Sequence, residues 1–220
     1  KIDVLGIAAA IVVVSALSAF ATTAEGEAIA PLINGLGNHT YPVSNCSGTA
    51  QAFFDHGLQL FYAFRYPESL ASFREAARLN PDCAMTHWGP ALAIAPTPNS
   101  RYLGRPDDPT GAGAIAVQRA GQLMAEAPAK KQALIQALAR VYDQVATPER
   151  VGRDLLYVEA MHDLYRKYPT DHEIATLYSA ALMTKSAWDY WTPDGNPRPG
   201  TLDAVTALNG VLNYDLQHPG

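Results

Sequence analysis

The sequence predicts an all-α protein built from antiparallel helical hairpins stacked in a row, following an apolar N-terminal segment. Three observations carry that expectation. The stretch from Thr49 to Pro81 places large and small apolar residues at helical spacing on either side of a proline turn. Most of the 16 glycines and 16 prolines fall between helix-like stretches, where they punctuate helices. Runs of β-branched residues are few.

The chain has 220 residues, 48% of them apolar and 17% charged, which is enough to bury a core and far from the composition of disordered chains. Its formal charge is −5, and the lysines and arginines are scattered singly. No basic stripe exists to neutralise phosphates, so nucleic acid is not an expected partner. Residues 1–24 read as a signal peptide: Lys1 is followed by an apolar run from Val4 to Leu17 and by the small-residue site Ala19-Phe20-Ala21, with Ala24 as a second cut site. The alternative is a retained membrane anchor through residues 4–21. No Cys closely follows this run, which disfavours a lipoprotein. Residues 25–47 form an extended lead-in, and 48–220 the helical domain. The sequence lacks an initiator Met and ends at Pro219-Gly220, which reads as truncation at the C-terminus.

The first hairpin spans about 49–81. Phe53, Gly57 and Leu60 share one face of its first helix, and Gly57 is small enough for a second helix to approach. Arg65-Tyr66-Pro67 makes the turn, with Pro67 in the first turn of the second helix. Leu70, Phe73, Ala76 and Ala77 form that helix's buried stripe, and Asn80-Pro81 stops it. With Phe53, Gly57, Leu60, Ser69, Phe73, Ala76 and Pro81 at matching places, the segment resembles a tetratricopeptide repeat, Ser69 standing where that family usually has Ala. The resemblance implies a solenoid, and the fold is read as such.

Later hairpins depart from the repeat length of about 34 residues, so insertions are expected. The second, 83–125, has a first helix from Cys83 to Ala95 carrying Met85, Trp88 and Leu92, a loop from Pro96 to Pro109, and a partner helix from Thr110. The third, 128–168, opens at Pro128, and its second helix is expected to start with Thr147 as N-cap and Pro148 in the first turn. The fourth, 170–217, starts with Thr170 and Glu173 spaced to cap each other's backbone, and carries Ile174, Leu177, Ala181 and Leu182. A loop from Lys185 to Gly200 precedes a last helix capped by Thr201 and running to Leu216. Lys185 to Gly200, Cys83-Ala84-Met85 and Trp88-Gly89 also resemble exported bacterial tetratricopeptide-repeat proteins of ill-defined role, which implies a scaffold function and supplies no catalytic residues. The Pro219-Gly220 end also resembles the start of a motif that continues in longer members of that group with further histidines.

Candidate chemistry is sparse. Cys46 precedes the first helix of the first hairpin and Cys83 opens that of the second, so stacking makes them neighbours and predicts a disulfide; two separate buried thiols are the alternative. Cys-x-x-Cys is absent. Among His39, His56, His87, His162, His172 and His218 no two stand three or four residues apart, so no metal is expected; His56 with His87, across adjacent first helices, is the one pairing worth testing. No hydrolase or phosphate-binding motif is present, and no cofactor is expected. Asn38-His39-Thr40 and Asn45-Cys46-Ser47 match the glycosylation pattern, which matters only in a eukaryotic secretory route.

First helices of such a stack line its hollow side, where Gln51, Phe54, Leu58, Phe61, Tyr62, Met85 and Trp88 are expected to form a partly apolar groove for a protein or peptide. The alternative is that they fill the core. The loop carrying Trp188, Tyr190 and Trp191 either holds a ligand or seals the gap its insertion leaves. The leading function is therefore an exported scaffold, periplasmic or extracellular, that binds a protein segment. An enzyme with histidines assembled across repeats, and an anchored structural protein of the envelope, are the alternatives.

Overall fold

A computed structural model describes residues 28–44 and 46–220, so the expectations about residues 1–24 lie outside the described residues, as does Asn45. Nine α-helices are present among them: α1 (Gly48–Tyr62), α2 (Tyr66–Leu79), α3 (Ala84–Ile94), α4 (Pro98–Tyr102), α5 (Ala112–Leu123), α6 (Ala129–Tyr142), α7 (Arg150–Lys167), α8 (His172–Lys185) and α9 (Thr201–Tyr214). Apart from the short α4, each helix packs on the next in sequence. The protein is all-helical, and an isolated bridge between Trp191 and Pro197 is its one extended pairing among the described residues. No helix there is long and apolar enough to cross a membrane.

The first hairpin forms as its sequence dictates. Ser47 caps α1 by accepting from the Ala50 amide, and Pro67 lies in the first turn of α2. The ring of Phe73 lies against both Gly57 of α1 and Gly89 of α3, so close that an added Cβ at either glycine would stand under 3.0 Å from it. Small residues thus let three helices share one aromatic ring, and Phe54 meets that ring edge-on with centroids 5.3 Å apart. The core continues through Trp88, whose indole N–H donates to the Leu134 carbonyl of α6. Cys46 and Cys83 form the disulfide, with Cα atoms 5.6 Å apart, tying the lead-in to the start of α3.

Several helix starts differ from expectation, and side-chain competition explains each. The α7 helix begins at Arg150 rather than at a Thr147 cap, because Arg153 draws the Thr147 and Pro148 carbonyls onto its guanidinium. Asp171, not Thr170, caps α8 by accepting from the Ile174 amide; Glu173 is turned inward and does not complete a capping box. Gly200, at φ 91°, precedes α9, and the Thr201 hydroxyl donates to the Tyr190 carbonyl instead of capping. The helix ends at Tyr214 rather than Leu216. The loop expected from Pro96 to Pro109 contains α4, started by a reciprocal Thr97/Ser100 capping box, and α4 packs on α8. Arg101 of α4 pairs with Asp107 and Asp154, and Arg153 reaches Asp107 at 3.2 Å, a buried network that fixes the inserted loop to α7.

Candidate functional site

The surface expected to be an open groove is built differently. Phe54, Leu58, Met85 and Trp88 are fully buried between α1, α2, α3 and α6, a correction to their expected exposure. The reason is that α1 is covered on two sides: its Phe53/Gly57/Leu60 stripe is buried in the hairpin, and the Phe54/Leu58 stripe lies in the same core with Trp88 of α3. Gln51, Phe61 and Tyr62 are half-buried. The lead-in lies over what remains of α1.

That lead-in is held as a bound peptide is held, through its backbone. Gln51 accepts from the Val43 amide and donates to the Tyr41 carbonyl, Asp55 accepts from the Tyr41 amide at 2.9 Å, and Gln59 donates to the His39 carbonyl. His56 accepts the Ile33 amide on Nε2, which leaves Nδ1–H to face the Ser72 hydroxyl at 2.8 Å. Burial holds the His56 imidazole below its usual range, consistent with this neutral tautomer. His87 is half-buried and bonds the Pro81 carbonyl, so the structure sends His56 and His87 to different partners.

Beneath the lead-in is a buried polar cluster. His39 Nε2 lies 3.0 Å from Glu173 Oε2 of α8, and Tyr62 donates to Glu173 Oε1 at 2.6 Å. His218, after α9, brings its Nε2 to 3.8 Å from the same Glu173 Oε2, and its ring stands edge-on to His39 with centroids 4.6 Å apart. Burial pulls the His39 imidazole down, but the hydrogen bond and charge of Glu173 outweigh it, so His39 is held above its usual range. His218 goes the other way, lowered chiefly by burial. Nearby, the Tyr41 hydroxyl and Lys130 both reach Asp171, and Lys131 lies over the Tyr41 ring, its ammonium lowered to about 7 mainly by burial.

Sequence spacing missed this cluster because it tests pairs on one helix face, whereas these three residues come from the lead-in, α8 and the C-terminal segment. His39 and His218 carry no local signal. The one hint was Glu173, a carboxylate beside an N-cap that does not serve it.

A second feature lies on the outside. Phe64, Tyr66, Tyr102, Leu103 and Trp188 line an open cleft of about 730 Å³ between the α1–α2 turn, α4 and the α8–α9 loop. Phe64 is 70% exposed, Tyr102 68% and Trp188 60%. Phe64 and Trp188 both hold left-handed backbone conformations, at φ 59° and 61°, which bulky residues rarely adopt. The Trp188 ring meets Tyr102 edge-on, centroids 6.0 Å apart. Tyr190 instead turns in, its hydroxyl facing the Met183 carbonyl at 3.4 Å, and Trp191 is half-exposed over a smaller pocket with Leu182 and Leu208. Within the α8–α9 loop, Tyr190 packs inward and Trp188 faces the cleft.

Comparison with family models, with curated proteins and with solved structures finds no match for this chain.

Proposed function

We propose that the protein is an exported scaffold of the tetratricopeptide type, periplasmic or extracellular, whose helical hairpins stack as a solenoid and which binds an apolar protein segment in its aromatic cleft. The observation that carries this reading is the exposure of Phe64, Tyr102 and Trp188 around one cleft, two of them on strained backbone. Strain of roughly 1–3 kcal/mol per residue persists only where the surroundings enforce it, and it gathers at ligand clamps. Large aromatic side chains held apart around a concavity give contact area at little cost in side-chain freedom, as partner-binding surfaces do. The serial packing of the helices and the repeat signature of the first hairpin support the solenoid. The disulfide suits an oxidising compartment and so supports export.

The binding surface in this reading is the outer cleft, with Trp188 retained from the residues first expected to bind and Phe64, Tyr66, Tyr102 and Leu103 added. The α1 groove is filled by residues 28–44. The test is capture from a bacterial envelope fraction with the 220-residue chain as bait, compared with a Phe64→Ala/Trp188→Ala variant. The reading expects the variant to lose a discrete captured protein, whose apolar segment then binds the isolated chain as a synthetic peptide. Identical captured sets from both baits would overturn it.

A further inference from the structure

We propose that His39, Glu173 and His218 form a binding site for one zinc-class divalent cation. Among the described residues these three offer ligand atoms that all lie within 4.8 Å of one another. Zinc takes imidazole nitrogen and carboxylate oxygen at about 2.0–2.2 Å, which sets tetrahedral ligands roughly 3–3.5 Å apart. The observed 3.0 Å from His39 Nε2 to Glu173 Oε2 and 3.8 Å from His218 Nε2 to the same oxygen bracket that spacing, so small side-chain rotations close the set.

An independent observation points to a ligand. The His218 side chain is 3% exposed, its Nε2 is aimed at the cluster, and that atom has no hydrogen-bond partner among the described residues. A buried polar atom left unpaired is unfavourable, and a cation on Nε2 would satisfy it. The carboxylate is prepared in the same sense: Tyr62 donates to Glu173 Oε1 and so leaves Oε2 for the histidine side. An outer partner of this kind orients a metal-binding carboxylate.

The donor set selects the ion. Two imidazoles and one carboxylate suit zinc and its borderline neighbours, whereas calcium and magnesium require shells of oxygen. Cys46 and Cys83 are joined to each other, so no free thiolate competes. Three protein ligands leave a fourth position, and His39 also lines an open cleft of about 350 Å³ with Asn38, Thr40 and Asp55. Binding displaces a ring hydrogen from each Nε2: the one that His39 directs at Glu173 Oε2 leaves that nitrogen, and metal on His218 Nε2 puts the ring hydrogen on Nδ1, which accepts from the Gly220 amide at 3.2 Å in the metal-free arrangement, so both contacts are given up.

The experiment is calorimetric titration of the chelator-stripped, oxidised chain with Zn²⁺, with metal counted after desalting. One equivalent is expected, with affinity reduced at least about 100-fold in His218→Ala and His39→Ala and about 10-fold in Tyr62→Phe. His87→Ala should bind as the unaltered chain does. Melting curves of the metal-free variants report whether each still folds; should one fail, the visible spectrum of Co²⁺ bound to the unaltered chain, tetrahedral and nitrogen-rich, decides instead. Absence of stoichiometric zinc, equal binding by His218→Ala, loss of binding in His87→Ala, or a Co²⁺ spectrum of an octahedral aquo ion would each overturn the proposal.

Discussion

The cluster beneath the lead-in and the cleft on the outside use their side chains in opposite ways. Around Glu173, polar groups from the lead-in, α1, α8 and the C-terminal segment are withdrawn from water and directed at one another. Around Trp188, large apolar groups from the α1–α2 turn, α4 and the α8–α9 loop are left in water with few partners. Each arrangement runs against the ordinary tendency of its residues, since buried charge and exposed aromatic area are both unfavourable alone. The difference teaches where stability resides: the inner region holds distant segments together, and the outer one leaves apolar area uncovered.

That division can be broken first at Glu173. Glu173→Ala removes the partner of both His39 and Tyr62, and leaving buried groups unpaired should cost about 3–5 kcal/mol in urea unfolding of the metal-free chain. A cost under about 1 kcal/mol would show that the inner cluster does not hold the fold. Next, Cys46→Ala/Cys83→Ala opens a loop whose ends are 37 residues apart. The expected cost is about 3 kcal/mol. Amide exchange should quicken in residues 28–44 and stay unchanged at Tyr102 and Trp188; equal quickening at both would erase the distinction between the regions.

A smaller effect of opposite sign is expected outside. Phe64→Gly relieves a left-handed backbone at φ 59° and gives up little packing. It should raise stability by about 0.5–1 kcal/mol while abolishing capture of the partner, the pairing expected where strain serves binding. Destabilisation by that substitution would mean that Phe64 is structural. The smallest effect concerns pH. Burial depresses His56 in the folded chain below its ordinary 6.5, so the unfolded chain binds more protons and stability falls as pH drops below 6.5. Protonation also removes the Nε2 lone pair that takes the Ile33 amide, so exchange at Ile33 should accelerate on acidification. His56→Gln should flatten that response, and an unchanged response would show that His56 is not its source.

Much of the fold was legible because it depends on neighbours in sequence. Helical spacing at Phe53, Gly57 and Leu60, the proline after Tyr66, and the periodic stripe through Phe73 specify α1 and α2 with no knowledge of the rest. The all-helical class follows from the same local logic, and the Cys46–Cys83 pairing needs one further step, that the starts of α1 and α3 lie side by side. Helix starts at Thr147, Thr170 and Thr201 were misplaced because a cap is a competition, and Arg153, Asp171 and the Tyr190 carbonyl won it.

What only the tertiary structure decided is which stripe of a helix meets water and which distant residues meet each other. Periodicity marks a helical face but carries no information about a covering segment, so the lead-in over α1 and the burial of Phe54, Leu58, Met85 and Trp88 could not be read from spacing. His39, Glu173 and His218 are separated by most of the chain, and their convergence depends on how α1, α8 and both flanking segments close around one volume. Local sequence sets the elements because backbone hydrogen bonding and side-chain period act over a few residues; the sites arise where those elements pack, and packing is decided by the whole chain at once.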